Sequence, residues 1–154
     1  MSNEAGDAEY AAILKQIGDI AAVAGVRGQV DAEGGVFVTN FSFDGDRDHR
    51  VVVRPTGRVA GGRVVVSFQS AAYEYPKKKF LASISQKELI ELLEKNEALM
   101  FARYGLVERK DDYLVVASAD CLLDTLDGPE FMLAANAVAK AADEYEATKG
   151  ADKF

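Results

Sequence analysis

The sequence predicts an α+β domain in which helices pack on an antiparallel sheet, in the order α-β-β-β-α-β-β-α. Three observations predict it. Apolar residues recur at helical spacing near the start, the middle and the end of the chain; they alternate at period two in the stretches between; and the links have hairpin length and carry the glycines that reversals need. At 154 residues, with 49% hydrophobic and 28% charged side chains, the chain has the size and composition of one globular domain. The small, polar ends, residues 1–7 and 147–154, are expected to be loose, leaving a single domain over 8–146.

Asp7 is placed to cap a first helix over 8–24, where Tyr10, Ile13, Leu14, Ile17, Ile20, Ala21 and Ala24 fall on one face and Gly25 supplies the stop. Alanines on the remaining surface permit close approach to a neighbour. The period then changes. VFVTNFSF puts Phe37, Thr39, Phe41 and Phe43 on one side, HRVVVR pairs Val51 with Val53, and GRVVVSF aligns Val64, Val66 and Phe68. AEGG, DGDRD and PTGRVAGG divide these runs as turns. A second helix follows in SISQKELIELLEKNEALM. Ser85 and Glu88 form a capping box, with Leu89, Leu92, Leu93 and Leu99 as the inner stripe. Two strands, MFARYGLVER and DYLVVASADCLL, turn through Lys110-Asp111-Asp112. The last helix opens at Asp127-Gly128-Pro129-Glu130; Phe131, Ala134, Ala135, Val138, Ala142 and Tyr145 face inward, while Asn136, Lys140, Asp143 and Glu144 face out.

Charge and composition narrow the functions. The formal net charge of −7 argues against nucleic acid as a general partner, because that affinity comes from neutralising phosphates. The charge is uneven: residues 44–80 carry Arg47, Arg50, Arg54, Arg58, Arg63 and Lys77 to Lys79 against four acids, whereas ten acids face three lysines from Asp111 onward. No stretch approaches the ~20 apolar residues that span a bilayer, and no signal peptide is evident, so no membrane role and a cytoplasmic location are expected. One cysteine, Cys121, and one histidine, His49, exclude an internal disulfide and the usual zinc ligand sets; Cys121, within LVVASADCLL, is expected to be a buried structural thiol.

The stretch FSFDGDRDHRVVVR sets Asp44, Asp46 and Asp48 at alternate positions beside His49, like the start of a calcium loop. Counted from Asp44, His49 stands where such a loop needs glycine and Pro55 where it needs glutamate, so a hairpin turn made by Asp44 and Gly45 is the reading, with no metal. No nucleophile elbow, phosphate loop or dinucleotide fingerprint is present, and His49, entering a valine-rich strand beside Arg50, suggests neither the orienting partner nor the reacting group of a general base. No catalytic residue and no cofactor site is expected. Gly57 to Gly62 reads as a hairpin link, and Lys77 to Lys79 as a solvated loop.

The run FARYGLVERKDDYLVVASADCLLDTLDGPEFMLAANAVAKAADEYE, ending Ala141-Ala142-Asp143-Glu144-Tyr145, resembles the C-terminal part of YbjN-type domains, which belong with the type III secretion chaperone-like fold. The resemblance covers residues 8–146 in architecture and 81–146 in residue pattern. It implies a small acidic cytoplasmic protein, commonly a homodimer, that acts without catalysis as a chaperone or as a regulator in sensory transduction, by binding another protein or an extended peptide segment. The basic bias of residues 44–80 departs from a plainly acidic chaperone.

The expected function is accordingly a protein-binding module. If one sheet face is uncovered, the second-face residues Val36, Val38 and Val52 form an apolar docking patch, with Arg50 and Arg54 beside it. The alternative is binding of an anionic small molecule, or an enzymatic α+β domain, with Arg50, Arg54 and Arg58 gripping the anion.

Overall fold

A computed structural model describes residues 4–44, 47–79, 81 and 83–150. The molecule is α+β: three helices lie on one face of a six-stranded antiparallel sheet. In chain order the elements are α1 (Glu4–Val23), β1 (Gly28–Asp31), β2 (Val36–Phe43), β3 (Arg47–Val59), a single 3₁₀ turn at Ala60–Gly62, β4 (Arg63–Pro76), α2 (Gln86–Ala98), β5 (Arg103–Glu108), β6 (Asp112–Leu122) and α3 (Gly128–Lys149). The strand order is β1-β2-β3-β4-β6-β5. A meander of four strands is thus followed by a helical crossover to the far edge, and β6 returns to fill the gap beside β4.

The alternation read from the sequence decides the buried face. Phe37 stands opposite Val53, Val53 opposite Phe68, and Phe68 opposite Ala119, a row crossing four strands beneath the helices. Phe131 of α3 enters this row edge-on, its ring 5.9 Å from Phe37 and 4.9 Å from Phe68. Full burial of such a side chain contributes about 1.5–3 kcal/mol. The alanines of α3, Ala134, Ala135, Ala139 and Ala142, are fully buried and let the helix lie close on the sheet. α1 rests on the β1 to β3 side, burying Leu14, Ile17 and Ala21. At the point where α1 meets α3, a Cβ on Gly128 would stand 3.3 Å from the backbone nitrogen of Ala24, the close approach that the small residues allow.

Caps fix the helix ends. Gly25 takes φ +73° at the end of α1, and the Val26 amide donates back to the Ala21 carbonyl at 2.9 Å. Both hydrogen bonds of the Ser85 and Glu88 capping box form, and Asp127 accepts from the Glu130 amide at 2.8 Å. Cys121 is buried, as read from its apolar run, and burial pushes its thiol up to about 11. At the other end of the core Tyr75 and Tyr145 share a hydroxyl contact of 2.8 Å, and Tyr104 donates to the Ala141 carbonyl at 2.6 Å. Burial pushes Tyr75 up to about 12 and raises Tyr104 and Tyr145 as well.

The structure corrects several expectations. β1 is an additional strand: its four residues carry one apolar side chain, Val30, too few to show a period. α1 begins at Glu4, so Asp7 lies inside its first turn, where a carboxylate also suits the helix dipole, and α3 continues to Lys149. Residues 1–3 and 151–154 of the expected loose ends lie outside the described residues. β3 runs on through Pro55 to Val59, with a bulge between Pro55 and Gly57 that accommodates the proline. Gly61 and Gly62 then make the reversal at φ +78° and +74°, so the hairpin link is shorter than its glycine-rich sequence suggests. In the inner stripe expected for α2 only Leu92 is buried; Leu99 is half-buried, while Leu89 and Leu93 are exposed, Leu93 at 70%. This helix lies along the β5 edge and is held mainly by polar contacts, Asn96 to both backbone groups of Tyr104 and Lys149 to Glu88.

Candidate protein-docking surface

Because all three helices share one side, no helix among the described residues covers the other face of the sheet. Val38 stands opposite Val52, Val52 opposite Gln69, and Gln69 opposite Ser118. Next to this row runs Asn40, Arg50, with Ala71, Val116 and Gly105 continuing it across β4, β6 and β5. The twist of the sheet crowds these side chains into a depression of about 580 Å³ lined by Val36, Val52, Ala71, Leu114 and Val116, with Arg50, Arg54, Gln69 and Asp31 around them. Val36 and Val116 retain only 8% exposure without any helix above them.

All five residues read from the sequence as a docking patch therefore lie on this face. Val36, Val52, Arg50 and Arg54 line the depression; Val38 flanks it opposite Val52, outside the lining. Leu114, Val116, Ala71 and Gln69 went unnoticed. Their alternation is visible in the sequence, but only the β3-β4-β6 order brings them beside Val52.

The arginines of this region separate into two groups. Arg47 donates to Asp143, Arg58 to Glu9, and Arg63 to Asp124. Among the described residues Arg50 and Arg54 have no carboxylate partner, and both are exposed. Arg50 and Arg54 are four positions apart on one face of β3, about 13 Å along the strand, with Val52 between them. The bulge between Pro55 and Gly57 then reverses the alternation, so that Arg58 turns to the helix side and meets Glu9 of α1. The three-arginine anion grip is thereby split across the two faces of the sheet.

His49 is taken out of the turn motif by the same alternation. Asp48 is exposed, whereas His49 has 0% exposure and faces α3, with Phe43 edge-on at 6.0 Å. Gly45 and Asp46, the rest of the expected reversal and metal triplet, lie outside the described residues. The His49 Nε2 is 3.2 Å from Glu146 Oε2 and 3.5 Å from Asp143 Oδ1, and Arg47 meets both Asp143 oxygens at 2.6 and 3.2 Å. Asp143, expected to face solvent, is buried because β3 brings it Arg47, from 96 residues away, and His49 beside it. The cluster clasps the start of β3 to the end of α3, with Arg47 reaching solvent at its rim while His49 and Glu146 are fully buried.

The basic run after β4 is a partly paired loop. Lys77 bonds Glu108 at 2.8 Å and the Arg109 carbonyl at 2.6 Å, while Lys78 and Lys79 are exposed. Among the described residues no helix is long and apolar enough to cross a membrane. No family model and no curated protein matches the chain.

Proposed function

We propose that this chain is a non-enzymatic protein-binding module, a chaperone-like or regulatory adaptor of the cytoplasm, and that the uncovered sheet face is where it docks a partner. The observation that carries this reading is the valine-lined depression on the face opposite the helices. Apolar side chains without a covering layer gain free energy when a partner removes them from water, at about 25 cal/mol per Å² buried. A floor of Val, Ala and Leu has no aromatic ring on which bases could stack, which favours protein over single-stranded nucleic acid. The resemblance to YbjN-type and secretion chaperone-like domains agrees with an adaptor that works as a homodimer. Exposed Leu89, Ile90 and Leu93 on α2, with Met100 and Phe101 after it, offer a second apolar surface for that pairing.

The test is capture from native lysate with the purified chain, run beside its molar mass by light scattering, with Val52→Glu as the comparison. One defined protein retained by the wild type and lost by Val52→Glu supports docking on this face. Equal retention by both moves the docking elsewhere. The anionic small-molecule reading keeps only Arg50 and Arg54 and leaves the apolar floor between them without a role.

A further inference from the structure

Resting on that reading, we propose that the uncovered face recognises an extended, acidic peptide segment in which two carboxylates four residues apart flank an apolar side chain. β3 presents Arg50, Val52 and Arg54 on the depression side, two cations about 13 Å apart with an apolar position between them. In an extended peptide, side chains at i, i+2 and i+4 also point the same way with the same rise. A segment lying along β3 thus sets acids at i and i+4 against Arg50 and Arg54 and lowers its i+2 side chain onto Val52. The floor beyond, Val36, Ala71 and Val116, accepts the rest of the apolar contact.

Two features single out an acidic partner. Arg47, Arg58, Arg63 and Arg109 each meet a carboxylate of the chain, whereas among the described residues Arg50 and Arg54 meet none; Arg27 and Arg103 also lack one but stand outside the depression, away from its apolar floor. The guanidiniums of Arg50 and Arg54 are therefore free to take a bidentate carboxylate. Other exposed cations, Lys78 and Lys79 among them, lie outside the depression, so the pairing of Arg50 and Arg54 with its apolar floor sets where an acidic segment with an apolar centre lands. An extended backbone above a sheet face keeps its own amides toward water, and no ladder hydrogen bond has to be broken.

The experiment is a titration of the ¹⁵N-labelled full chain, followed by amide shifts, with nine-residue peptides. The first is Thr-Ser-Asp-Thr-Val-Thr-Asp-Ser-Thr; the others replace both Asp with Asn, replace both with Lys, or move one Asp so that the acids are three apart. Nonanedioate, a dicarboxylate of similar reach with no peptide, is the fifth ligand. The expected result is saturable shifts at Arg50 to Arg54 and Leu114 to Val116. The first peptide should bind about tenfold more tightly than the Asn or three-apart peptides, with the advantage shrinking as salt is raised. The double variant Arg50→Glu/Arg54→Glu, checked for folding by circular dichroism, should prefer the Lys peptide.

Equal binding of the Asp and Asn peptides would overturn acidic recognition while leaving protein docking on this face intact. Equal binding of the two Asp spacings would overturn the register along β3. Nonanedioate binding as tightly as the first peptide would overturn peptide recognition in favour of a small dicarboxylate. No response to any peptide, with a lysate partner still lost in Val52→Glu, would overturn the extended-segment class alone. A partner retained by Val52→Glu would instead remove the docking reading on which this one rests.

Discussion

Val52 and Val53 are neighbours in sequence and lie on opposite faces of β3, so one isosteric change applied to each measures whether a single face of the sheet is covered. Val→Thr exchanges a methyl for a hydroxyl of nearly the same shape. At Val53, fully buried between Phe37 and Phe68, the backbone groups on both sides are engaged in the β2 and β4 ladders. The new hydroxyl there gains no partner, and a buried hydroxyl without one costs about 1–3 kcal/mol. At Val52 the side chain is half-buried in an open depression, where the hydroxyl reaches water, and the cost should stay within about 0.5 kcal/mol. The difference, about 2 kcal/mol, corresponds to roughly 4–8 °C in Tm for a domain of this length. Urea unfolding with both midpoint and slope measured is the assay, since an unchanged slope shows that stability changed while the surface exposed on unfolding did not. Equal losses at the two positions, or a larger loss at Val52, would mean that the second face is covered or that the strand is turned over, and the docking surface would go with it.

Other outcomes follow from the core and its clasp. Asp143→Ala strips Arg47 and His49 of a shared partner and should cost about 2–3 kcal/mol, below the full penalty for a broken buried pair because Arg47 keeps 30% exposure; a loss under about 0.5 kcal/mol in chemical denaturation would show the clasp to be idle. Burial disfavours the phenolate of Tyr75 in the folded chain, so between the ordinary value of 10.0 and about 12 the folded protein holds a proton that the unfolded chain has released. The stability this group contributes is therefore complete below pH 10 and falls as the pH climbs toward 12, and Tyr75→Phe should flatten that decline in urea midpoints taken from pH 9 to 12. Cys121 should resist a thiol reagent at pH 8 in the native protein and react in urea, as burial holds its thiol near 11; rapid native labelling would place it outside the core. Ser85→Ala should cost about 1 kcal/mol through the lost capping box, read by thermal melting.

How much of this molecule is legible in the chain depends on the range of the interactions involved. Period, caps and turn residues act within a few positions, so the sequence alone determines the helices around Ile17, Leu92 and Ala135, the capping box at Ser85, the stop at Gly25, the inward set of Phe37, Val53 and Phe68, and the existence of a second face carrying Val36, Val52, Arg50 and Arg54. Interactions between distant residues have no local signature. That Asp143 is buried follows from Arg47 and His49 arriving on β3; that Arg58 leaves the company of Arg50 and Arg54 follows from one bulge, which flips every later side chain of the strand. Leu89 and Leu93 carry the same helical spacing as a buried stripe and are exposed because α2 docks at the sheet edge. Whether the second face is open was likewise decided only in the tertiary structure. α1 and α3 bury their apolar stripes on the same side of the sheet and α2 adds Leu92 at its edge, so the valines opposite stay outside the helix-covered core.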